Sequence, residues 1–264
     1  MRFFDAHAHL QDHRLDGMRE AVMLRAHEQG VVHVLSCGVH EGDWAKLSAI
    51  SHQFHGICPA YGLHPWFVDT RSEHWLDTLE ALIAETGASV GEIGLDRMIK
   101  ERSDADQREV FIAQLKLARK YKVPVSMHCR KAWQIMVDIL EAEGGLPYGG
   151  VVHAYSGSAD MVKAFENLGA CISFAGSVTK SANKKVAAAV KAVSEDRLMI
   201  ETDAPDILPD GANRSLNEPS FLRLIVAAVA DLRGESMEKT AHVTFENSMR
   251  VYGDVCGKEG MAFP

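Results

Sequence analysis

Short apolar segments alternate with longer stretches of helical periodicity along most of the chain. The apolar segments are 3–8, 31–37, 57–63, 89–95, 123–129, 150–154, 170–176 and 197–203. Each has the length of one buried strand, and the stretches between them have the apolar spacing of helices. Within 104–121, for example, Phe111, Leu115 and Ala118 repeat at i, i+4 and i+7 and form one apolar stripe. This alternation predicts a parallel sheet covered by helices.

Eight predicted strands, each followed by a predicted helix, fit a closed barrel. The predicted helices are 16–29, 43–54, 73–86, 104–121, 131–142, 159–168, 183–194, 218–232 and 236–251. We therefore expect a single (β/α)8 TIM barrel with extra C-terminal helices, forming one domain over 1–264, with a loose tail at 257–261. An open doubly wound sheet is the alternative, but neither G-x-G-x-x-G nor a P-loop follows the first strand.

Composition narrows the class of protein. The chain has 264 residues, of which 47% are hydrophobic and 24% charged, so it can bury a large core and is not a disordered tail. No signal-like or membrane-spanning apolar run is present, so we expect a cytoplasmic location and no membrane partner. The five cysteines are widely spaced without C-x-x-C, which favours reduced thiols over disulfides. The net charge of −8 disfavours broad, sequence-independent binding to duplex nucleic acid.

Histidines and carboxylates occur at the ends of the predicted strands, where the active site of a (β/α)8 barrel forms. They are His7, His9, His64, Glu92, His128, His153 and Asp203. His7 and His9 are two residues apart on a strand, so both rings project to the same side. Imidazoles combined with carboxylates suit zinc, manganese, iron or a carboxylate-bridged pair of ions, and match an all-oxygen calcium site poorly. The pattern predicts a metal site in the barrel mouth.

The same residues lie in motifs that resemble those of the TatD-type metal-dependent hydrolases, a family within the amidohydrolase-like superfamily. The motifs are Asp5–Leu10, Gly62–Pro65, Gly91–Asp96, Pro124–Arg130, His153–Ser158 and Glu201–Pro205. The D-x-H-x-H motif alone occurs in many such barrels. Six motifs in the same order cover nearly the whole chain and make the resemblance specific.

The resemblance implies two divalent ions, which could be zinc, magnesium or manganese. His7, His9 and Asp203 would hold one ion, His128 and His153 would hold the other, and Glu92 would bridge the two. The two oxygens of Glu92, on a strand between the two histidine clusters, support the bridging role independently. Two ions about 3.5–4 Å apart can activate water for hydrolysis. Asp203 would act as the general base, so Asp203 and Glu92 are the predicted catalytic residues.

Further positions follow from strand parity and from the motifs. Asp5 and Glu201 each lie two residues before a candidate ligand, so either could fix an imidazole from beneath or be a carboxylate satisfied elsewhere. Arg130 matches the family's H-x-R and could bind a substrate phosphate, or it could be a surface arginine. His64 is a second candidate substrate-binding residue at the mouth. Alternatively, it is a histidine at the rim that has no partner.

Three functions agree with these observations. The resemblance favours a divalent-metal-dependent phosphodiesterase or deoxyribonuclease that acts on a single-stranded DNA end. A hydrolase of a small phosphoester, ester, lactone, amide or aminoacyl substrate is the second, since metal-activated hydroxide also attacks carbonyl carbon. A non-catalytic metal-binding scaffold is the third, although its ligand set should be broken and here all six positions are filled. No obligate protein partner is indicated.

Overall fold

The eight strands pair in chain order into one parallel sheet, and the computed structural model describes residues 1–101 and 103–256 of the chain. The strands are β1 (Phe3–Ala8), β2 (Val31–Cys37), β3 (Ile57–Tyr61), β4 (Ser89–Asp96), β5 (Val125–Arg130), β6 (Gly150–Val152), β7 (Cys171–Phe174) and β8 (Leu198–Ile200). Two backbone hydrogen bonds join the end of β1 to the segment that follows β8, from Asp203 N to the His7 carbonyl (2.9 Å) and from His9 N to the Ala204 carbonyl (2.7 Å). The predicted barrel is confirmed, and the open doubly wound alternative is wrong.

A helix follows each strand on the outside of the barrel. The helices are α1 (Arg19–Glu28), α2 (Glu41–Gln53), α3 (Trp75–Thr86), α4 (Asp104–Tyr121), α5 (Trp133–Ala142), α6 (Ala159–Asn167), α7 (Lys184–Ala192), α8 (Leu222–Arg233) and α9 (Met237–Cys256). The apolar stripe predicted on α4 is buried at Phe111, Leu115 and Ala118. Helix α8 completes the eighth unit, so α9 is the additional C-terminal helix.

The sixth and eighth strands end earlier than predicted. β6 ends at Val152 and β8 ends at Ile200, whereas the apolar pattern extends each by two or three residues. Ala154 and Asp203 have left-handed φ values of 42° and 56°, which are incompatible with an extended strand. The chain therefore leaves the ladder where His153 and Asp203 reach the barrel mouth.

Helix α9 covers the N-terminal end of the barrel. Asn247 Nδ2 donates to the Leu198 carbonyl (2.8 Å), and Tyr252 Oη donates to the Val125 carbonyl (2.9 Å). Leu198 and Val125 are the first residues of β8 and β5. With the N-terminal end covered in this way, the C-terminal ends of the strands are left for the functional site.

Cys58 and Cys256 form a disulfide, which corrects the expectation that the thiols are reduced. The two residues are 198 positions apart in the sequence and meet because α9 crosses the floor of the barrel next to β3. Linear spacing carries no information about such a contact. Cys37, Cys129 and Cys171 are free and buried.

Among residues 1–101 and 103–256, no helix combines the length and apolar character needed to cross a bilayer. The cytoplasmic location stays a prediction, and the predicted tail at 257–261 lies outside the described residues.

Candidate metal centre

Five imidazoles lie around the carboxylate of Glu92, which is buried on β4, and four of them form two pairs. On one side, His7 Nε2 and His9 Nε2 lie 3.4 and 3.3 Å from Glu92 Oε2. On the other side, His128 Nδ1 and His153 Nε2 lie 3.0 and 2.8 Å from Glu92 Oε1. Each carboxylate oxygen thus faces one pair of histidines, which is the arrangement that a bridging carboxylate requires.

Asp203 lies on the side of the first histidine pair. Its Oδ1 is 3.5 Å from His9 Nε2 and 3.8 Å from His7 Nε2, and its side chain is 10% exposed. Because its φ is 56°, the residue is in a conformation that non-glycine residues seldom adopt, and its N–H donates to the His7 carbonyl. The backbone of the first strand therefore holds the carboxylate at the edge of the site.

The His7 and His9 rings are each fixed through the nitrogen that points away from Glu92. His9 Nδ1 lies 2.8 Å from the Cys37 carbonyl oxygen, which can only accept, so His9 carries its proton on Nδ1. His7 Nδ1 lies 2.8 Å from Ser126 Oγ. Once the ring is neutral, the Nε2 lone pair of His9 is therefore directed into the site, as in protein metal centres.

The second pair is fixed in the same way. His153 Nδ1 contacts Glu201 Oε1 (3.3 Å), and His128 Nε2 contacts Asp96 Oδ2 (3.2 Å). An ionised carboxylate accepts hydrogen bonds only. In the neutral form of each ring, the proton would therefore stay on the nitrogen that contacts Asp96 or Glu201, and the other nitrogen would face Glu92. For Glu201, the alternative of a contact with an imidazole is the one observed.

His64 differs from these four residues. It is buried, and its Nε2 lies 3.2 Å from Glu92 Oε1, so the alternative of a rim histidine without a partner is wrong. Its Nδ1 accepts a hydrogen bond from the Trp66 backbone N–H (3.1 Å), which places the proton of neutral His64 on Nε2. Burial lowers the pKa of His64 to about 4, so the ring is neutral near pH 7. His64 is thus a hydrogen-bond donor to Glu92 in this arrangement.

Charge in the site is shared between the carboxylates and the imidazoles. Burial acts to raise the pKa of Glu92, but the surrounding histidines, His64 first, hold it well below its usual range. Burial alone would lower the pKa of His9, but the hydrogen bond with Asp203 and the charge of Glu92 raise it to about 9. Glu92 and Glu201 likewise outweigh burial and hold the pKa of His153 well above its usual range.

These shifts predict that metal binding depends on pH. A metal ion and a proton compete for the same imidazole nitrogen, so an ion that binds His9 below pH 9 must displace a proton. We expect the metal affinity to rise with pH between 6 and 8, by about tenfold per pH unit for each proton displaced. Calorimetric titration in buffers of different ionisation enthalpy measures the protons released. An affinity independent of pH, with no proton release, would contradict this assignment of charge.

The donors fit a divalent metal chemically. In the described part of the barrel mouth, three overlapping sets of ligand atoms each lie within 4.8 Å of one another. The sets are His7, His9 and Glu92; His7, His153 and Asp203; and His64, Glu92 and His128. Nitrogen and carboxylate donors of this kind suit zinc and manganese. The protein therefore has buried clusters able to bind metal.

For Asp5, the alternative of a carboxylate satisfied away from the imidazoles is the one observed. The Asp5 carboxylate accepts hydrogen bonds from Thr202 N (2.8 Å) and from Thr202 Oγ1, and it does not contact an imidazole. It links the start of the barrel to its last strand instead. Arg130 is the last residue of β5, and its side chain is exposed. No hydrogen bond or ion pair of this side chain is found among the described residues, so its guanidinium is accessible at the mouth.

Sequence reasoning missed two residues that orient the histidines. Ser126 lies two positions before His128 on β5, and Asp96 lies four positions after Glu92 on β4. The parity rule that selected Asp5 and Glu201 applies equally to Ser126 and Asp96. Asp96 also accepts a hydrogen bond from Trp66 Nε1 (2.8 Å), so it links an exposed aromatic ring to His128.

The chain is similar to known proteins over almost its whole length. Residues 4–253 match the family model described as TatD related DNase. The chain is 32% identical over 250 residues to the uncharacterized metal-dependent hydrolase YabD of Bacillus subtilis, covering 94% of this chain and 98% of that protein. It is also 32% identical to the 3′-5′ ssDNA/RNA exonuclease TatD of a Rahnella strain, covering 94% and 97% of the two chains.

A solved structure shows the same architecture. The crystal structure of YjjV, a TatD homologue from Escherichia coli K12, superposes with a TM-score of 0.90 at 29% identity. The superposition covers 96% of this chain and 98% of that chain. The family match, the relatives and the fold lead to one conclusion: the chain belongs to the TatD related DNase family of metal-dependent hydrolases.

Proposed function

We propose that this protein is a two-metal phosphodiesterase that removes nucleotides from an end of single-stranded nucleic acid. The observation that carries the proposal is the position of Glu92 between two histidine pairs, one at each carboxylate oxygen. Relatives named as ssDNA/RNA exonucleases support this substrate class. We further propose that residues 1–264 act as one catalytic domain and that the protein is cytoplasmic.

The residues would have distinct roles in binding metal and in catalysis. His7, His9 and Asp203 would hold one divalent ion, His128 and His153 the other, and Glu92 both. When bound, such a pair lowers the pKa of water and stabilises charge on the attacking and leaving oxygens. The Asp203 carboxylate is the proton acceptor, because its neighbours His9, His153 and His7 outweigh burial and lower its pKa, which keeps it ionised.

Two side chains of the mouth are suited to the substrate. The exposed guanidinium of Arg130 can form two parallel hydrogen bonds with a phosphate. The Nε2–H of His64 lies inside the site and can donate to an oxygen held close to Glu92. A net charge of −8 opposes broad contact with a long duplex, so a single strand end entering the mouth fits the protein better.

Replacing Arg130 tests the phosphate contact. We expect Arg130→Ala to raise KM for a labelled single-stranded oligonucleotide by about 10-fold or more, since a charged hydrogen bond contributes about 1.5–3 kcal/mol. The kcat should change little, because the residue binds substrate away from the metal donors. Steady-state kinetics measure both constants, with the exposed Arg108→Ala on α4 as the control. Equal KM values for Arg130→Ala and wild type would remove Arg130 from the binding site.

One assay separates the candidate functions. Protein reconstituted with manganese or zinc is incubated with single-stranded DNA and RNA labelled at either end, and in parallel with small phosphoesters, esters and lactones. The proposal predicts nucleotide release from one end of the single strand, absent in Glu92→Ala. Turnover of only the small esters or lactones would replace it with the second candidate function. No turnover of any substrate by the fully loaded protein would favour the scaffold.

A further inference from the structure

We propose a second metal site at the opposite end of the barrel, formed by His33, Cys58 and Cys256 when the disulfide between the two cysteines is reduced. Its ligand would be a thiophilic divalent ion such as Zn²⁺. The donors are one imidazole and two thiolates, a combination distinct from the nitrogen and carboxylate donors of the barrel mouth.

The three residues meet on the floor of the barrel. His33 is the third residue of β2, Cys58 is the second residue of β3, and Cys256 is the last residue of α9. One ligand atom from each of them lies within 4.8 Å of the other two. His33 and Cys58 are buried, with 3% and 0% exposure, and Cys256 is half-buried. The cluster is therefore sheltered from solvent, with Cys256 as its point of access.

His33 supplies the independent evidence for a ligand. Its Nδ1 is a buried polar atom that has no hydrogen-bond partner among the described residues. A hydrogen bond with the Gly56 backbone involves the ring, and it must belong to Nε2 because Nδ1 has no partner. Burial lowers the pKa of His33, so the ring is neutral and Nδ1 carries a lone pair. An imidazole held by a backbone carbonyl with its other nitrogen free is typical of metal-binding histidines.

Aromatic side chains surround the His33 ring, and no described polar group donates a hydrogen bond to Nδ1. Phe4 lies on one side, with ring centroids 5.4 Å apart, and Phe245 of α9 lies at 6.5 Å. A buried acceptor without a partner costs about 1–3 kcal/mol. The sulfurs of Cys58 and Cys256 lie within 4.8 Å of a ring nitrogen of His33, and once reduced they would hold an ion that can bind the imidazole.

Two steps convert the disulfide into the metal site. A dithiol reductant supplies two electrons and two protons: the Cys58–Cys256 bond breaks, two thiols form, and the reductant's own sulfurs become joined. Binding of Zn²⁺ then displaces both thiol protons to solvent, while Nδ1 of His33 donates its lone pair, and no electron moves. With Zn–S bonds of about 2.3 Å, a tetrahedral ion needs the sulfurs about 3.8 Å apart, which requires the covalent bond to be broken.

The two states are therefore mutually exclusive, but both attach the end of α9 to the start of β3. The metal would preserve under reducing conditions the connection that the disulfide makes under oxidising conditions. This inference does not depend on the proposed nuclease function, since none of its three residues contacts the donors at the barrel mouth among the described contacts.

Cobalt titration of the whole chain tests the site. The protein is reduced with dithiothreitol, desalted without oxygen and titrated with Co²⁺, whose charge-transfer absorption in the near ultraviolet reports thiolate ligands. We expect this band in the reduced protein and not in the oxidised protein. After equilibration with Zn²⁺ and desalting, elemental analysis should find about one more zinc per chain in the reduced protein. A reduced protein without the band in excess Co²⁺ would overturn the proposal.

Variants identify the ligands. Cys256→Ser should abolish the band, and because residue 256 is half-buried at a helix end the variant should still fold. Cys129→Ser, a cysteine outside the cluster, should keep the band. His33→Leu should weaken cobalt binding about tenfold or more. If His33→Leu fails to fold, the comparison of Cys256→Ser with Cys129→Ser decides, and an unchanged band in Cys256→Ser contradicts the site.

Discussion

Replacing Glu92 with alanine is expected to abolish hydrolysis and to release metal from both sides of the site. Glu92 contacts the two histidine pairs through separate oxygens, so its removal takes a ligand from each. Metal stabilisation of the transition state is worth several kcal/mol, which corresponds to a loss of about 10³-fold in rate. The measurements are turnover of labelled single-stranded DNA and the metal content per chain.

Two controls make this result specific. Glu92→Gln keeps the shape of the side chain but removes its charge, so we expect it to bind metal weakly and to be almost as inactive. Glu85→Ala removes an exposed carboxylate from α3 and should behave as wild type. Nucleotide release that persists undiminished in Glu92→Ala would show that the activity comes from a contaminant or from a different site.

Asp203→Asn is expected to have the second-largest effect. The amide keeps an oxygen that can bind metal but cannot accept a proton from water. We expect the protein to retain at least one ion while its rate falls about 10²–10⁴-fold, the usual range for a positioned base. Rates and metal content measured on the same preparation separate loss of the base from loss of metal.

The nearby Asp210→Asn provides the matched control, because Asp210 is exposed on the same segment after β8. It should retain wild-type rates. Full activity in Asp203→Asn would contradict the role of Asp203 as base, whereas complete loss of metal would make the residue chiefly a ligand.

The barrel could be predicted because parallel strands buried on both faces leave a distinct pattern of short apolar segments. The candidate ligands were found since the carboxyl ends of those strands all meet in one mouth, so their polar residues are brought together whatever their separation in sequence. His153 lies directly before a residue with a left-handed φ and Asp203 has such a φ itself, but both still reach Glu92 or its histidines.

Other features depend on contacts that no local pattern records. His64 is held in its buried position by a hydrogen bond from the Trp66 backbone. Asp5 pairs with Thr202 because β1 and β8 close the barrel. The Cys58–Cys256 bond depends on the path of α9 beneath the strands. In contrast, Ser126 and Asp96 were within reach of strand parity and could have been named.

Anomalous scattering from crystals grown in manganese tests the central claim most directly. The account predicts two anomalous peaks about 3.5–4 Å apart, one between Glu92 and the His7–His9 pair and one between Glu92 and the His128–His153 pair. Loss of both peaks in Glu92→Ala would show that both ions depend on the Glu92 carboxylate. A wild-type site that binds no ion in excess manganese or zinc would contradict the account.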